Sequence, residues 1–244
     1  MDEALKEKLT VWAERYNTPR YFTEDPIVFP KRFAHQLNAA QAELGFEGSG
    51  WRPRLQDVEI AALFSAHLAW GRRVTIVNDC CKLFDEMVWR PYDYVMTGVW
   101  RNDDRSLHRT IKWSEIARIC KNLRDFYRRN DSLEVMTPEQ IRVNIFGQKE
   151  DPKAANKKLH LMRRWMVRDD GKVDLGMWKH SSKKDLVIPL DVHVYDMASS
   201  LGLTDRKSKD ILTARQITDA FRELFPDDPC LGDFALFGYG VSNQ

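Results

Sequence analysis

Residues 57–70 have the sequence DVEIAALFSAHLAW, and this stretch decides the fold class. As a helix, this stretch would have apolar residues on most of its sides, so few sides could meet water. Such a pattern is typical of a helix running through a protein core. Gly71 follows as a natural helix end. Along the rest of the chain, helical periodicity dominates and strand-like alternation is nearly absent. The sequence therefore predicts an all-α protein.

The predicted helices form a single globular unit over residues 1–244, with two helical subdomains and a cleft between them. Residues 45–53 contain Gly, Trp and Pro and are predicted to form a loop. Asp151 is predicted to cap the basic helix, with Pro152 at its first position. The full set of predicted helices covers about residues 2–16, 31–44, 57–70, 72–90, 113–129, 138–147, 152–168, 192–201, 213–224 and 229–237.

Composition excludes several classes of protein. The 244 residues are 43% hydrophobic and 30% charged, as in an ordinary globular protein, and contain no apolar run long enough to span a membrane. The charged N-terminal segment is not a signal peptide, so we expect a cytoplasmic location. The cysteines at 80, 81, 120 and 230 lack metal-site spacing, so we expect buried thiols, no metal and no cofactor.

The segment around Asp191 carries the first candidate for chemistry. It reads IPLDVHV over residues 188–194 and leads into an amphipathic helix that ends at Gly202. Asp191 stands where an N-cap belongs, and capping is the common role of such an aspartate. A carboxylate held rigidly at a helix start also suits catalysis, and the two roles are compatible.

The second candidate is the basic helix. Its apolar stripe is narrow, and its cations are Lys157, Lys158, Arg163, Arg164 and Arg168. Such a face is ordinarily solvated, but it also suits phosphate binding with one lysine acting as a nucleophile. The overall net charge of +2 does not distinguish these interpretations.

A third cationic segment is Trp70-Gly71-Arg72-Arg73. Backbone N–H groups at a helix start can bind an anion together with arginine side chains, so this segment is a candidate phosphate site. The alternatives are core packing for Trp70 and plain surface charges for Arg72 and Arg73.

Three segments resemble the helix-hairpin-helix DNA glycosylases. Residues 188–194 resemble the segment in which their catalytic aspartate precedes a helix. Residues 61–83 are similar to their early core helices, and residues 234–240 to their last core helix. Most of the chain is also similar, more closely, to an uncharacterised bacterial family of unknown function.

The resemblance has departures. The glycosylase hairpin of the pattern Leu-Pro-Gly-Val-Gly is missing before Asp191, as is the cysteine cluster, so the fold would be glycosylase-like with an atypical or missing hairpin. The nearest pattern is that of the archaeal 8-oxoguanine glycosylases, whose lysine lies farther upstream on a helix. Lys157 lies 34 positions before Asp191 and is the candidate nucleophile, with Lys158 as the alternative.

What the resemblance implies is a monomeric repair glycosylase with AP-lyase activity. It would bind double-stranded DNA and flip a damaged base, such as 8-oxoguanine, into a pocket formed by Trp70, Trp178 and His193. Neutral Lys157 would attack the sugar, and Asp191 would assist. The phosphates would be held by Arg72, Arg73, Arg164 and Arg168.

Two other classes remain open. A non-catalytic nucleic-acid-binding module could keep the glycosylase-like fold without its chemistry, as the missing hairpin would favour. A protein-interaction scaffold is the third, although the clustering of basic residues argues against it.

Overall fold

The computed structural model describes residues 1–42 and 51–242, and it confirms the all-α prediction. Among these residues the β-structure is one antiparallel pair, β1 (Ser106–His108) and β2 (Ile111–Lys112). The helices, numbered along the chain, are α1 (Glu3–Tyr16), α2 (Val28–Ala42), α3 (Leu55–Leu68), α4 (Arg73–Glu86), α5 (Pro91–Thr97), α6 (Trp113–Tyr127), α7 (Pro138–Gln140), α8 (Lys157–Val167), α9 (Val192–Ser200), α10 (Ile211–Arg222) and α11 (Leu231–Ser242).

The chain divides into two compact units. Residues 1–22 and the described residues from 151 onward form one unit, called the terminal unit below. Residues 23–150 form the other, called the middle unit. The terminal unit therefore contains α1 and α8 to α11, and the middle unit contains α2 to α7 with the β-hairpin.

The terminal unit is built on the packing of α1 against α11. Leu9, Trp12, Ala13 and Tyr16 recur at helical spacing on α1 and are buried in one apolar cluster with residues of α11. A side chain at Gly238 would collide with the ring of Tyr16, so this glycine permits the close approach of the two helices.

The middle unit is organised around α3. Residues 57–68 are buried on every side of this helix, as its sequence predicts. A buried carboxylate among them, Glu59, accepts hydrogen bonds from Tyr127 Oη at 2.9 Å, from Ser132 Oγ and from the Leu133 N–H. Since a buried charge must be satisfied by donors, this network ties α3 to α6 and to the segment that follows it.

The structure corrects the predicted end of α4. The predicted helix extended to about residue 90, whereas α4 ends at Glu86 and a separate helix begins at Pro91. Val88 and Trp89 both adopt a φ of 52°, and the Trp89 N–H donates to the Phe84 carbonyl at 2.9 Å. This left-handed turn terminates the helix without a glycine.

The predicted start of the basic helix was wrong. Asp151 does not cap it; instead its Oδ1 accepts from the Lys153 N–H at 3.0 Å within a turn. The helix α8 begins at Lys157, after Asn156 in a left-handed conformation with φ 45°. The Lys153 carbonyl accepts from the Ile211 N–H at 3.1 Å, so this turn is bonded to the start of α10 and is not the first turn of α8. The predicted ends at residues 43 and 44 of the second helix, and most of the loop at 45–53, lie outside the described residues.

His160 on α8 makes folding sensitive to acid. Burial, with the nearby charges of Arg163 and Arg215, lowers the pKa of His160 to about 4. In the unfolded chain a histidine binds its proton near pH 6.5, so the unfolded state gains a proton that the folded state does not. This contribution to stability is full above pH 6.5 and falls as the pH drops toward 4.

We expect the free energy of unfolding to fall by up to about 3 kcal/mol between pH 6.5 and pH 4 because of His160. Urea unfolding across this range should show a weaker pH dependence in His160→Gln than in the native protein. The exposed His180 provides the control, since His180→Gln should keep the native dependence. An unchanged slope in His160→Gln would contradict the assignment.

Candidate functional site

The candidate site lies in the terminal unit, where the starts of α8 and α9 meet. Lys157 Nζ lies 3.8 Å from Asp191 Oδ2, and the two side chains are 26% and 37% exposed. The other carboxylate oxygen of Asp191, Oδ1, accepts from the Val194 N–H at 2.9 Å, so the predicted N-cap is confirmed. Asp191 therefore combines a fixed orientation with one oxygen directed toward an amine.

The position of Lys157 is electrostatically unusual. It is the first residue of α8, and Lys158 follows in the same turn, about 100° further around the helix axis. The N-terminal end of a helix carries partial positive charge, so cations there cost about 0.3–1 kcal/mol each. The first turn of α8 contains no acidic residue to offset this. Asp191 supplies the compensating negative charge from another helix.

Asp233, in the first turn of α11, is a neighbour of this site that sequence reasoning missed. Burial raises the pKa of Asp233. The positive charge of Arg164 lowers this pKa, and the negative charge of Asp191 raises it. The Asp233 carboxylate forms an ion pair with Arg164. An acidic residue in the first turn of the closing helix was the available signal, but such residues are common at helix starts.

The predicted phosphate ligands Arg164 and Arg168 are buried. Their side chains are 5% and 1% exposed, and both guanidinium groups lie over the Phe234 ring, at 4.8 and 5.0 Å. Asp174 joins them, with Arg164 Nε at 3.3 Å from Asp174 Oδ1 and a close pair between Arg168 and Asp174. This placement differs from a phosphate-binding surface, because the arginine donors already face carboxylates inside the unit.

Arg168 also binds two further aspartates. Its Nε and Nη2 donate to both oxygens of Asp228 at 2.8–3.1 Å, and Nη2 lies 3.0 Å from Asp170 Oδ2. Burial alone would lower the pKa of Arg168, but the Asp228 hydrogen bonds and the surrounding negative charges raise it. We define Arg164, Arg168 and the aspartates at 170, 174, 228 and 233 as the ionic cluster.

Trp178 and His193 occupy opposite environments. Trp178 is 2% exposed, and its backbone N–H donates to the Met166 carbonyl at 2.8 Å, which holds the loop against α8. Its buried ring offers no open face to a flipped base. His193 is exposed on the first turn of α9, two residues after Asp191.

The segment around Trp70 belongs to the middle unit. His108 Nε2 lies 2.9 Å from the Trp70 carbonyl, and Arg109 lies over the Trp70 ring at 4.3 Å from its centroid. Gly71 has a φ of 110°, and a side chain there would collide with Arg109. Arg72 and Arg73 are exposed at the start of α4, where no side chain caps the helix. Sequence reasoning missed Arg109, which reaches Trp70 through the β-hairpin.

The described residues contain no group of three or more His, Cys, Asp or Glu side chains that could hold a metal ion. Among the described helices, none is both long enough and apolar enough to cross a membrane. Cys80, Cys120 and Cys230 are buried free thiols, and burial raises the pKa of each.

The fold and the site define an all-helical protein of two compact units with a lysine–aspartate pair at two helix starts. Residues 52–148 and 136–242 match a family described as a protein of unknown function, DUF2400. Because these overlapping segments span well over half of the chain, the chain belongs to this family. Comparisons with curated proteins and with solved structures found no significant match.

The ionic cluster should dominate the stability of the terminal unit. We expect Arg168→Gln to lower the free energy of unfolding by about 3–5 kcal/mol, because it removes the arginine that pairs with Asp228 and leaves the buried Asp174 with Arg164 alone. The measurement is urea unfolding at neutral pH. Arg222, which pairs with Asp219 near the surface, gives the control: Arg222→Gln should change stability by less than about 0.5 kcal/mol. Equal losses in both variants would show that the cluster has no special role.

Proposed function

We propose that this chain is a DNA glycosylase with associated AP-lyase activity, which removes a damaged base from double-stranded DNA through a Schiff base. The observation that carries the proposal is the 3.8 Å separation of Lys157 Nζ and Asp191 Oδ2. A nucleophilic amine needs a nearby group to accept its proton, and it must be reachable by substrate. The partial exposure of both side chains meets the second requirement.

The chemistry follows from these two groups. Neutral Lys157 attacks C1′ of the sugar; a bond forms between Nζ and C1′, and the bond from C1′ to the base breaks. The base leaves with the bonding electron pair and takes up a proton. Asp191 Oδ2 accepts the proton lost by the lysine and stabilises the positive charge that develops on the sugar. The C1′–O4′ bond then breaks, O4′ leaves C1′ with the electron pair and takes up a proton, and an iminium forms between Nζ and C1′. Loss of a proton from C2′ then expels the 3′ phosphate.

The capping bond explains why Asp191 can act repeatedly in one geometry. With Oδ1 held by the Val194 N–H, the carboxylate cannot rotate freely, and Oδ2 keeps its direction toward Lys157. Such preorganisation favours the charged transition state because no reorientation is needed during reaction. The same arrangement supports a glycosylase-like fold with an atypical or missing hairpin, in which Asp191 precedes a helix.

This proposal assigns fewer arginines to phosphate binding than the sequence predicted. Arg72 and Arg73 are exposed and stay candidates for binding the DNA backbone. Arg164 and Arg168 are assigned instead to holding Asp233 and the loop around Asp174 in place. Trp70 stays a candidate for contact with a base, with Arg109 already on one face of its ring.

A second candidate function is a non-catalytic nucleic-acid-binding module. The observation that favours it is the exposed pair Arg72 and Arg73 beside the stacked Arg109, which can bind phosphate without any chemistry at Lys157. Such a module would bind DNA with or without an intact Lys157–Asp191 pair.

Borohydride trapping tests the proposal. The native protein, incubated with duplexes containing 8-oxoguanine, uracil or an abasic site, should form a covalent adduct that Lys157→Gln abolishes. Lys158→Gln is the matched control and should retain the adduct. Asp191→Asn should keep the helix cap, since asparagine caps as well as aspartate, while slowing base removal roughly 100-fold or more.

Three results would contradict the role proposed for Lys157. An adduct that persists in Lys157→Gln but disappears in Lys158→Gln would move the nucleophile to Lys158. Binding without an adduct on any duplex would favour the non-catalytic module. Loss of folding in Lys157→Gln, seen by circular dichroism, would assign Lys157 a structural role.

A further inference from the structure

The middle unit carries a second cationic surface, separate in sequence from Arg72 and Arg73. Three exposed arginines lie over aromatic rings: Arg32 over Trp89 at 3.9 Å, Arg54 over Tyr92 at 5.0 Å and Arg90 over Trp51 at 5.7 Å from the ring centroids. We define these six residues as the arginine–aromatic surface.

The rings of this surface are continuous with the core of the unit. Phe33 is buried and packs 6.5 Å from Trp51 and 6.2 Å from Trp89, measured between ring centroids. Trp89 and Arg90 are neighbours in the chain, and Tyr92 follows two residues later. The three arginines therefore belong to one region, supported from below by packed aromatic side chains.

Three carboxylates of this region accept hydrogen bonds from groups other than the three guanidiniums. Asp57, whose charge interacts with that of Arg54, accepts from the backbone N–H groups of Arg54 at 2.7 Å and Tyr92 at 2.9 Å. Asp93 accepts from the indole N–H of Trp51 at 3.0 Å, and Asp85 accepts from that of Trp89 at 2.8 Å. Among the residues that the structure describes, none of the three guanidinium groups forms an ion pair with a carboxylate. This contrasts with the ionic cluster, where each arginine is neutralised by aspartates. Within the described residues, the guanidinium groups of Arg32, Arg54 and Arg90 have no carboxylate at ion-pair distance, and their N–H donors can bind an external anion.

We infer that the arginine–aromatic surface binds the sugar–phosphate backbone of nucleic acid. A guanidinium group stacked on a ring keeps its N–H donors directed outward at the ring edge, which matches the two oxygens of a phosphate. Several such groups in one region suit a ligand with a row of anions. Stacking also limits side-chain freedom before binding, so less entropy is lost when phosphate is bound.

Val88 adds an exposed apolar side chain to this region. This residue is 73% exposed, precedes Trp89 and has a φ of 52°, which is rare for a β-branched side chain. Two backbone hydrogen bonds hold this turn. The Val88 N–H donates to the Asp85 carbonyl and the Trp89 N–H to the Phe84 carbonyl, each at 2.9 Å. An apolar tip beside exposed arginines fits a backbone in which apolar sugar edges alternate with phosphates.

The choice of DNA as partner rests on the proposed function, but the binding test is independent of catalysis. The probe is a short fluorescein-labelled duplex with an abasic site, and binding to the full chain is followed by anisotropy over a range of salt concentrations. Each phosphate contact contributes roughly 0.9 to the slope of log affinity against log salt. We expect the triple variant Arg32→Gln, Arg54→Gln, Arg90→Gln to lose about 2.7 from this slope if all three contacts form.

Two further variants test whether the position and the planar shape of the charged groups matter. A control triple variant, Arg105→Gln, Arg118→Gln and Lys121→Gln, removes the same number of charges from exposed positions of the same unit and should keep the native slope. Replacing Arg32, Arg54 and Arg90 by lysine should preserve most of the slope while weakening affinity, since lysine keeps the charge but loses the planar fork. Circular dichroism melting checks that all variants fold.

The outcomes are distinct from those of the trapping experiment. An unchanged slope in the glutamine triple variant, with DNA still bound, would contradict the inference that this surface binds nucleic acid. It would leave the Lys157 proposal intact. Loss of slope without any borohydride adduct would support the surface and refute the glycosylase. Tighter binding of polyglutamate than of the duplex would overturn the assignment to nucleic acid, and so would an equal loss of slope in the control variant.

Discussion

The arrangement of the terminal unit depends on two arginines that lose their water. Arg164 lies in the second half of α8 and Arg168 directly after its end, and both side chains are buried in the unit. The transfer of a guanidinium group from water is costly unless carboxylates replace the lost hydration. Four aspartates do so: two in the loop after α8 (Asp170, Asp174), one before α11 (Asp228) and one in the first turn of α11 (Asp233). Each bond fixes another segment, so the cluster determines the path of the chain between α8 and α11.

The ionic cluster also explains how the candidate site is held. Arg164 lies in the second half of α8 and binds Asp233 at the start of α11. The first residue of α8, at the opposite end of that helix, is Lys157. One rigid helix therefore connects the buried arginines to the exposed amine. Asp191 is fixed separately by its own helix, through the bond to the Val194 N–H. The Lys157–Asp191 distance therefore depends on the positions of α8 and α9, each of which is held by polar contacts.

The sequence predicted those parts of the structure whose cause is local. The core helix α3 follows from residues 57–68, because a helix apolar on all sides must be buried. The cap at Asp191 follows from the residues around it. The left-handed residues Val88 and Trp89 were not predicted, since neither residue type favours that conformation, and the short strands β1 and β2 carry too few residues to show a pattern.

The burial of Arg164 and Arg168 could not be predicted for a different reason. Arginines in a helix with five cations ordinarily face solvent. Their partners Asp233 and Asp228 lie 69 and 60 residues further along the chain, and aspartates are too common to indicate such pairs. The pairing of Lys157 with Asp191 depends on similar long-range geometry. A resemblance to a family could suggest that pair, whereas periodicity and composition could not.

The division of the chain into a terminal and a middle unit affects how the protein folds during synthesis. Residues 23–150 are contiguous, so the middle unit can complete its core while the ribosome is still translating. The helix α1 is made before the middle unit, but its apolar face packs on α11, which emerges more than two hundred residues later. Until then Leu9, Trp12 and Tyr16 have no α11 to cover them. The helix α1 is thus translated early and packed late, and the nascent chain exposes an apolar face that chaperones can bind.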